Sequence, residues 1–528
     1  MQADGQHNIA HWPARWAERR PQAIALIEGS QRLTWLEFEA RIARTAGALK
    51  EAGLSFGDRV AILLQNRSAC LEILLGAARL GAVTLPLNLR LTPTEIAYQI
   101  DDCRPKLLIH EQTLSRPVAQ ALSESSDPPR LISVGDEPDA FSRLRASAVP
   151  QSESTPVKPD DPVLLLYTSG TTGQPKGAVL PHRKTLYNCL NAALDFGIRG
   201  TDRVLIVAPL FHSLGLQILS LPALYAGACL VIQSGFDPTR VWETVQKERI
   251  TYFGAVPAMY QRLHDELERP NAPTWNTSSL RFLFTAGSAV STHLVEAFHQ
   301  RNLALVQGYG QTETSTLCCL QPDDALRKAG TVGRPVFHAE IRVIDPNTRA
   351  LSPADWRDAD PGTTGEIVVR GPTTMLGYWE KPSETAETLI DGWLCTGDLA
   401  QVDEEGFFTL VGRSREMFIS GGENVYPAEV EAACREHPQI REIAVVSEPD
   451  EKWGEVGRAH IILESGTQLE TSRFEHWARQ RLAAYKIPRT LVFESDLPRT
   501  ASGKVQKHLL KNRAQPDPAG SSASSPDS

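Results

Sequence analysis

The sequence predicts an α/β protein with a large N-terminal domain, itself of several subdomains with parallel-rich sheets, and a small C-terminal α+β domain. Three observations predict it. Strand-like apolar runs alternate with helical patterns through most of the 528 residues, the rhythm of parallel strands joined by crossover helices. Val163-Leu164-Leu165-Leu166-Tyr167 is an uninterrupted apolar run, as a strand buried on both faces requires. After Gly412 the strands shorten and the charge density rises.

Taken in order, Arg59 to Leu64 reads as a strand, Glu72 to Leu80 has helical spacing, and Ala82 to Leu87 is extended again. The Ser/Pro/Asp-rich stretch from Ser123 to Pro159 reads as a surface excursion dominated by loop. From Ser213 to Phe236 there is no charged residue, long enough to suggest a membrane span. Pro222, Gly227 and Gly235 interrupt it, and Ala228 to Ile232 is a short apolar run, so a core helix followed by a core strand is expected. Beyond Gly412, Glu442 to Val446 and Ala459 to Leu463 read as strands and Ser472 to Ala484 as a helix. The expected division is a large domain over 1–412, a hinge at 413–416, a small domain over 417–513 and a disordered Pro/Ser-rich tail over 514–528.

Composition narrows the function. A net charge of -9 argues against a nucleic-acid binder. The eight cysteines are scattered and form no Cys-x-x-Cys pair, which fits buried, reduced thiols of a cytoplasmic protein and gives no zinc-ligand spacing. Met1 to Arg20 carries Asp4, Glu18 and three arginines but no apolar stretch, so it is not read as a signal peptide. No integral membrane segment is expected, and a homodimer is compatible with these features.

The strongest local signal follows the buried strand directly. Thr168, Ser169, Thr171 and Thr172 bring four hydroxyls, Gly170, Gly173 and Gly177 three glycines, and Lys176 a cation, all within ten residues. Glycines let backbone N–H groups close on a ligand, the hydroxyls add donors and the ammonium meets phosphate oxygens. Pro175 stands where a Walker A loop needs its second glycine, so this is a phosphate loop of another kind.

Thr168 to Gly177 resembles the signature loop of the adenylate-forming superfamily, which includes acyl-CoA synthetases, aryl-CoA ligases, firefly-type luciferases and the adenylation domains of peptide synthetases. The resemblance extends over nearly the whole chain, in the family's order. Pro209-Leu210-Phe211-His212-Ser213 resembles the border of the acyl pocket, and Thr285-Ala286-Gly287-Ser288-Ala289 the turn beside adenine. Gln307-Gly308-Tyr309-Gly310-Gln311-Thr312-Glu313 resembles the central nucleotide motif, and Thr396-Gly397-Asp398 with Gly412-Arg413 the ribose contacts. Ser420-Gly421-Gly422-Glu423-Asn424 resembles the thiol-channel loop, and Pro498 to Lys504 the catalytic lysine loop.

The resemblance implies an adenylate-forming fold and an ATP-dependent acyl-CoA ligase with ATP, Mg²⁺ and coenzyme A. The residue types suit these roles. Tyr309 offers a flat face to adenine, Glu313 and Thr168 offer hard oxygens to Mg²⁺, and Thr168 and Thr312 can donate to phosphate oxygens. Asp398 can accept from both ribose hydroxyls. Lys504, with Thr168, Glu313 and His212, is implied as catalytic, Gly421 and Gly422 as lining the thiol path, and Arg415 as the pivot. The family usually has Lys or Asp at that pivot, often followed by Asp. Arg415 and Glu416 keep the charge pattern and change both side chains.

The implied acyl-pocket residues are His212, Val256, Gly287, Gln307, Ser315 and Leu317. None is an arginine, lysine or carboxylate, whereas a dicarboxylate would need a cation to pair its second charge. His212 stands where peptide-synthetase domains commonly place an Asp for an α-ammonium. A neutral, largely apolar acid is therefore expected: a medium- or long-chain fatty acid, or an aryl or arylpropenoic acid. The alternatives are an acyl-AMP ligase that loads a carrier protein, a luciferase-like monooxygenase, or a non-catalytic acyl- or nucleotide-binding homologue.

Overall fold

The computed structural model describes residues 7–136, 138–168, 175–420, 423–450, 452–500 and 504–512. The chain divides into two compact units at Leu410/Val411.

The large unit holds three sheets. In the first, Pro162–Thr168, Val83–Pro86, Arg59–Leu63, Leu107–Glu111 and Arg130–Val134 run parallel, and Lys176–Pro181 returns antiparallel beside Pro162–Thr168. In the second, Leu305–Gln311, Phe282–Thr285, Tyr252–Ala255, Arg203–Ile206, Cys229–Ile232 and Ile24–Glu28 form the parallel centre, with antiparallel strands such as Ser315–Cys319 at the ends. The third is antiparallel and includes Gly365–Arg370 and Trp393–Val402. Helix Ser68–Arg79 is buried along its whole length, as a crossover between layers requires. Its Glu72 remains tolerable there because Arg41 and Arg145 bind the carboxylate at 2.8 and 2.6 Å. Capping boxes start three of the described helices: Thr34 with Glu37 for Trp35–Glu51, Thr92 with Glu95 for Pro93–Cys103, and Asp139 with Ser142 for Ala140–Ser147.

The stretch from Ser123 to Pro159 is loop over most of its length, as expected, and it also holds a strand and a helix. Arg130–Val134 pairs in register with Leu107–Glu111, and Asp139 caps a helix over Ala140–Ser147. Its polar composition reflects an edge position, where only alternate residues are buried. In the small unit the helix expected to Ala484 ends at Ala478. The apolar period continues through the buried Phe474, Ala478 and Leu482, but the backbone tightens, with Arg481 N–H donating to Ala478 O at 3.0 Å. Leu482 N–H also reaches Ala478 O, at 2.8 Å, so the chain ends in a tightened turn rather than in further regular helix.

Over the uncharged stretch a π-helical segment, Leu214–Ser220, runs into the helix Leu221–Ala226, and Cys229–Ile232 follows as a buried strand. Gly215 is required there, since a Cβ would lie 2.3 Å from the Pro209 carbonyl oxygen. Among the described residues no helix is long and apolar enough to cross a membrane.

In the small unit Ile440–Asp450 and Gly454–Leu463 form a long antiparallel pair, against the expectation that strands shorten after Gly412, joined by Thr490–Phe493 in parallel and by Phe418–Ser420 with Glu423–Val425. Helices Pro427–Cys434 and Thr471–Ala478 contribute Val430, Cys434 and Phe474 to a core with Val445 and Ile461.

Candidate active site

The phosphate loop leaves the sheet at Thr168 and re-enters it at Lys176. Ser169, Gly170, Thr171, Thr172 and Gly173 lie outside the described residues, but both flanks are anchored to helix Pro93–Cys103. Tyr167 donates its hydroxyl to Asp102 Oδ2 at 2.5 Å, Asp102 Oδ1 accepts from Lys381 at 2.8 Å, and Tyr98 donates to the Pro175 carbonyl at 3.1 Å. Burial, then the neighbouring Cys103 and Asp102, push the Tyr167 phenol upward, so it remains a donor.

Thr168 Oγ1 donates to Glu313 Oε1 at 3.3 Å, and Tyr378 donates to the same oxygen at 3.0 Å. Lys176 Nζ sits 5.5 Å from the centre of the Tyr378 ring. Residues 168, 176, 313 and 378 thus form one cluster. Glu313 and Thr312 are presented by a turn in which Gln311 N–H bonds Thr314 Oγ1 at 3.1 Å and Thr314 N–H bonds the Gln311 carbonyl at 3.1 Å. The sequence reading missed Tyr378; its only local signal is an aromatic pair, Tyr378-Trp379, directly after Gly377. Among the described residues no three His, Cys, Asp or Glu side chains cluster as a metal cage. One carboxylate beside a hydroxyl suits Mg²⁺, which keeps waters and takes substrate phosphates rather than a full protein cage.

A second cluster surrounds Asp398. Its Oδ2 accepts from Tyr309 at 2.7 Å and from Gln311 Nε2 at 2.6 Å, while Gln311 also donates to the Thr396 carbonyl at 2.9 Å. Asp398 N–H donates to Thr396 Oγ1 at 3.1 Å. Burial, then the Asp398 charge, raises the Tyr309 phenol well above its ordinary value. Packing requires the glycines beside Tyr309. A Cβ on Gly310 would lie 1.9 Å from the Ser315 carbonyl oxygen, and one on Gly308 would lie 2.6 Å from the Phe284 ring. Gly287, with φ 94°, Ser288 and Ala289 form an exposed turn after strand Phe282–Thr285.

On the acid side, His212 closes a turn onto the Pro209 carbonyl at 3.1 Å, ahead of the π-helical segment. Val256 caps helix Pro257–Glu268, and Gln307 pairs in register with Thr285. Ser315 and Leu317 are buried on one face of strand Ser315–Cys319. Against Ser315 lies a residue the sequence reading overlooked. Lys184, fully buried on helix His182–Asp195, contacts Ser315 Oγ and donates to Gln217 Oε1 at 3.2 Å. Burial lowers its pKa to about 7, against a smaller opposing effect of Glu313. None of the six implied pocket residues is itself a cation, but Lys184 adjoins one of them, Ser315. The available signal was the polar stripe Lys184, Asn188 and Asn191 on an otherwise core-facing helix, at spacings of one helical turn.

In the small unit, Arg413 ends strand Phe408–Arg413 and Arg415 is exposed in the turn Ser414–Glu416. Lys507 binds Glu416 at 3.0 Å and Glu431 at 2.8 Å. Burial would lower the Lys507 ammonium, but Glu431 and Glu416 outweigh it and raise its pKa. Lys504 is exposed, and its backbone is fixed by Thr500, whose N–H donates to the Lys504 carbonyl at 2.7 Å and whose hydroxyl accepts the Lys504 N–H at 3.2 Å. Gly421 and Gly422 lie outside the described residues. An open surface depression of about 500 Å³ beside Arg203, Lys247 and Glu248 includes none of these site residues.

Residues 13–379 match the family model described as AMP-binding enzyme, and residues 429–504 match that of the AMP-binding enzyme C-terminal domain. The chain is 39% identical over 507 residues to a feruloyl-CoA synthase of an Amycolatopsis species, covering 96% of this chain and 99% of that one. It is 37% identical over 506 residues to an indoleacetate–CoA ligase of Aromatoleum aromaticum, covering 94% and 96%. Among solved structures it resembles o-succinylbenzoate CoA synthetase of Bacillus subtilis in complex with its acyl-adenylate intermediate, with a TM-score of 0.84, 31% identity, and 96% and 98% of the two chains covered.

Proposed function

The chain belongs to the AMP-binding enzyme family, and from that premise we propose that it is an ATP-dependent acyl-CoA ligase acting on a largely apolar carboxylic acid. The observation that carries the reading is the meeting of Thr168, at the mouth of the glycine- and hydroxyl-rich loop, with Glu313 at 3.3 Å. Two segments 145 residues apart in sequence thereby bring a phosphate-binding loop and a metal-competent carboxylate together. The relatives named for feruloyl and indoleacetate substrates support an aryl or arylpropenoic acid over an alkyl one.

In the first step a carboxylate oxygen of the acid attacks the α-phosphorus of ATP, and the bond to pyrophosphate breaks. Both reactants are anionic, so alignment and charge neutralisation dominate and no protein nucleophile is needed. Thr168 and Lys176 serve phosphate oxygens, Tyr309 the adenine and Asp398 the ribose hydroxyls. Glu313 with Thr168 would hold Mg²⁺, which supplies further neutralisation of phosphate charge. Lys504 brings the remaining cation to the adenylation step. In the second step the sulfur of coenzyme A bonds to the acyl carbon, AMP leaves and the thiol proton passes to solvent. Arg415 serves as the pivot between the two steps.

The test is pyrophosphate release across a panel of acids, with and without coenzyme A. Acid-dependent release, with thioester forming once coenzyme A is added, supports the proposal. Release without thioester points to a carrier-protein acceptor, and absence of release with every acid removes the ligase reading.

A further inference from the structure

Lys184 is 0 % exposed, yet among the described residues no carboxylate pairs with it. An ammonium carries three donors, and two are accounted for, by Gln217 Oε1 and Ser315 Oγ. The Ser315 hydroxyl in turn faces Gln217 Oε1 at 3.4 Å. As an ammonium Lys184 can only donate, which fixes the carbonyl end of the Gln217 amide toward it. The other end, Nε2, is buried with no hydrogen-bond partner among the described residues. Asn188 holds the Gln217 backbone carbonyl at 2.6 Å, so the glutamine is pinned at its main chain as well. Two donors, one from Lys184 in its ammonium form and one from Gln217, are thus left beside Ser315 without an acceptor among the described residues. Each such orphan is costly when buried, and an unpaired buried ammonium costs more.

We propose that Lys184 and Gln217 form a recognition subsite for an acceptor oxygen that the acid carries remote from its activated carboxyl, so that the protein discriminates oxygenated acids from their unsubstituted counterparts. The proposal rests on the ligase reading above and on Ser315 lining the acid's pocket. The shared chemistry is an oxygen with lone pairs, as in a phenol, a ketone or a second carboxylate. It deepens the expectation of an apolar acid by adding one polar point to an otherwise apolar substrate. The depressed pKa of Lys184 agrees: burial without a counter-charge destabilises the ammonium, and an acceptor oxygen would restore it.

The experiment is acid-dependent pyrophosphate release by the full chain with matched acid pairs: phenylpropenoic acid with and without a para-hydroxyl, and a straight-chain acid with and without a terminal carboxyl or keto group. The expected result is a kcat/KM ratio of at least about tenfold in favour of the oxygenated member in one class of pair, since a site built to bond an oxygen rejects the analogue lacking it. The class that is favoured identifies the oxygen. Lys184→Met and, separately, Gln217→Met should bring that ratio close to one. A lysine that only supported the fold would lower both members of a pair alike and leave the ratio standing, which overturns the proposal. A wild-type ratio near one in every pair also overturns it and needs no variant to fold. Absence of pyrophosphate release with every acid removes the ligase reading itself and this subsite with it.

Discussion

On the nucleotide side of the large unit, Glu313 and Asp398 each accept two side-chain donors, from Thr168 and Tyr378 and from Tyr309 and Gln311. On the acid side, Lys184 and Gln217 have donors left over. The first region is pre-organised: its carboxylates are held in place before any ligand arrives, which is what electrostatic catalysis on a triphosphate requires. The second is incomplete without its ligand, which suits a place where substrates must be told apart. On the proposed reading, chemistry and selectivity occupy neighbouring but differently built parts of one unit.

The comparison can be broken by substitutions that should act on every acid alike or on only some. Lys504→Ala should reduce adenylate formation about 10³-fold for all acids, because it removes a cation from a step between anions. Thioester formation from supplied acyl-adenylate should be largely spared, and stopped-flow measurement of the two half-reactions checks this. Equal loss in both halves would end the division of labour assigned to that lysine. Glu313→Gln should lower kcat about 10²-fold, again irrespective of the acid, with a raised requirement for Mg²⁺ seen in a metal titration. Asp398→Asn should raise KM for ATP about tenfold with little change in acid preference, as expected of one weakened hydrogen-bonded contact.

The residues proposed for the nucleotide stood out in sequence because they lie in contiguous runs. Thr168 to Gly177, Tyr309 to Glu313 and Thr396 to Asp398 each state both the backbone freedom and the side chain the site needs. Tyr378 escaped because it reaches Glu313 from a short strand, Gly377–Tyr378, that carries no motif of its own. Lys184 escaped for a different reason. Its partners Gln217 and Ser315 lie 33 and 131 residues away, and only packing brings the three together. The strands were read well where both faces are buried, as at Val163 to Tyr167. Arg130–Val134 was missed because half its residues face outward and its neighbours are polar.

A smaller effect sharpens the acid side. The Lys184 pKa, lowered from 10.5 to about 7, means that between those values the unfolded chain holds a proton the folded chain has released. Stability attributable to this residue therefore rises with pH from about 7 toward 10.5 and is flat below 7, by up to about 1.4 kcal/mol per unit. Denaturant unfolding of wild type and Lys184→Met at pH 7 and pH 9 should show the wild type gaining relative to the variant. A pH-independent difference would mean that the lysine stays charged in the fold.

The most direct test is a single-turnover reaction with ATP labelled on the α-phosphate and an oxygenated aryl acid, quenched before and after coenzyme A is added. The label should move into an acyl-adenylate while coenzyme A is absent and then into AMP, with one thioester formed per adenylate consumed. Label that remains in ATP with every acid offered would contradict the ligase assignment.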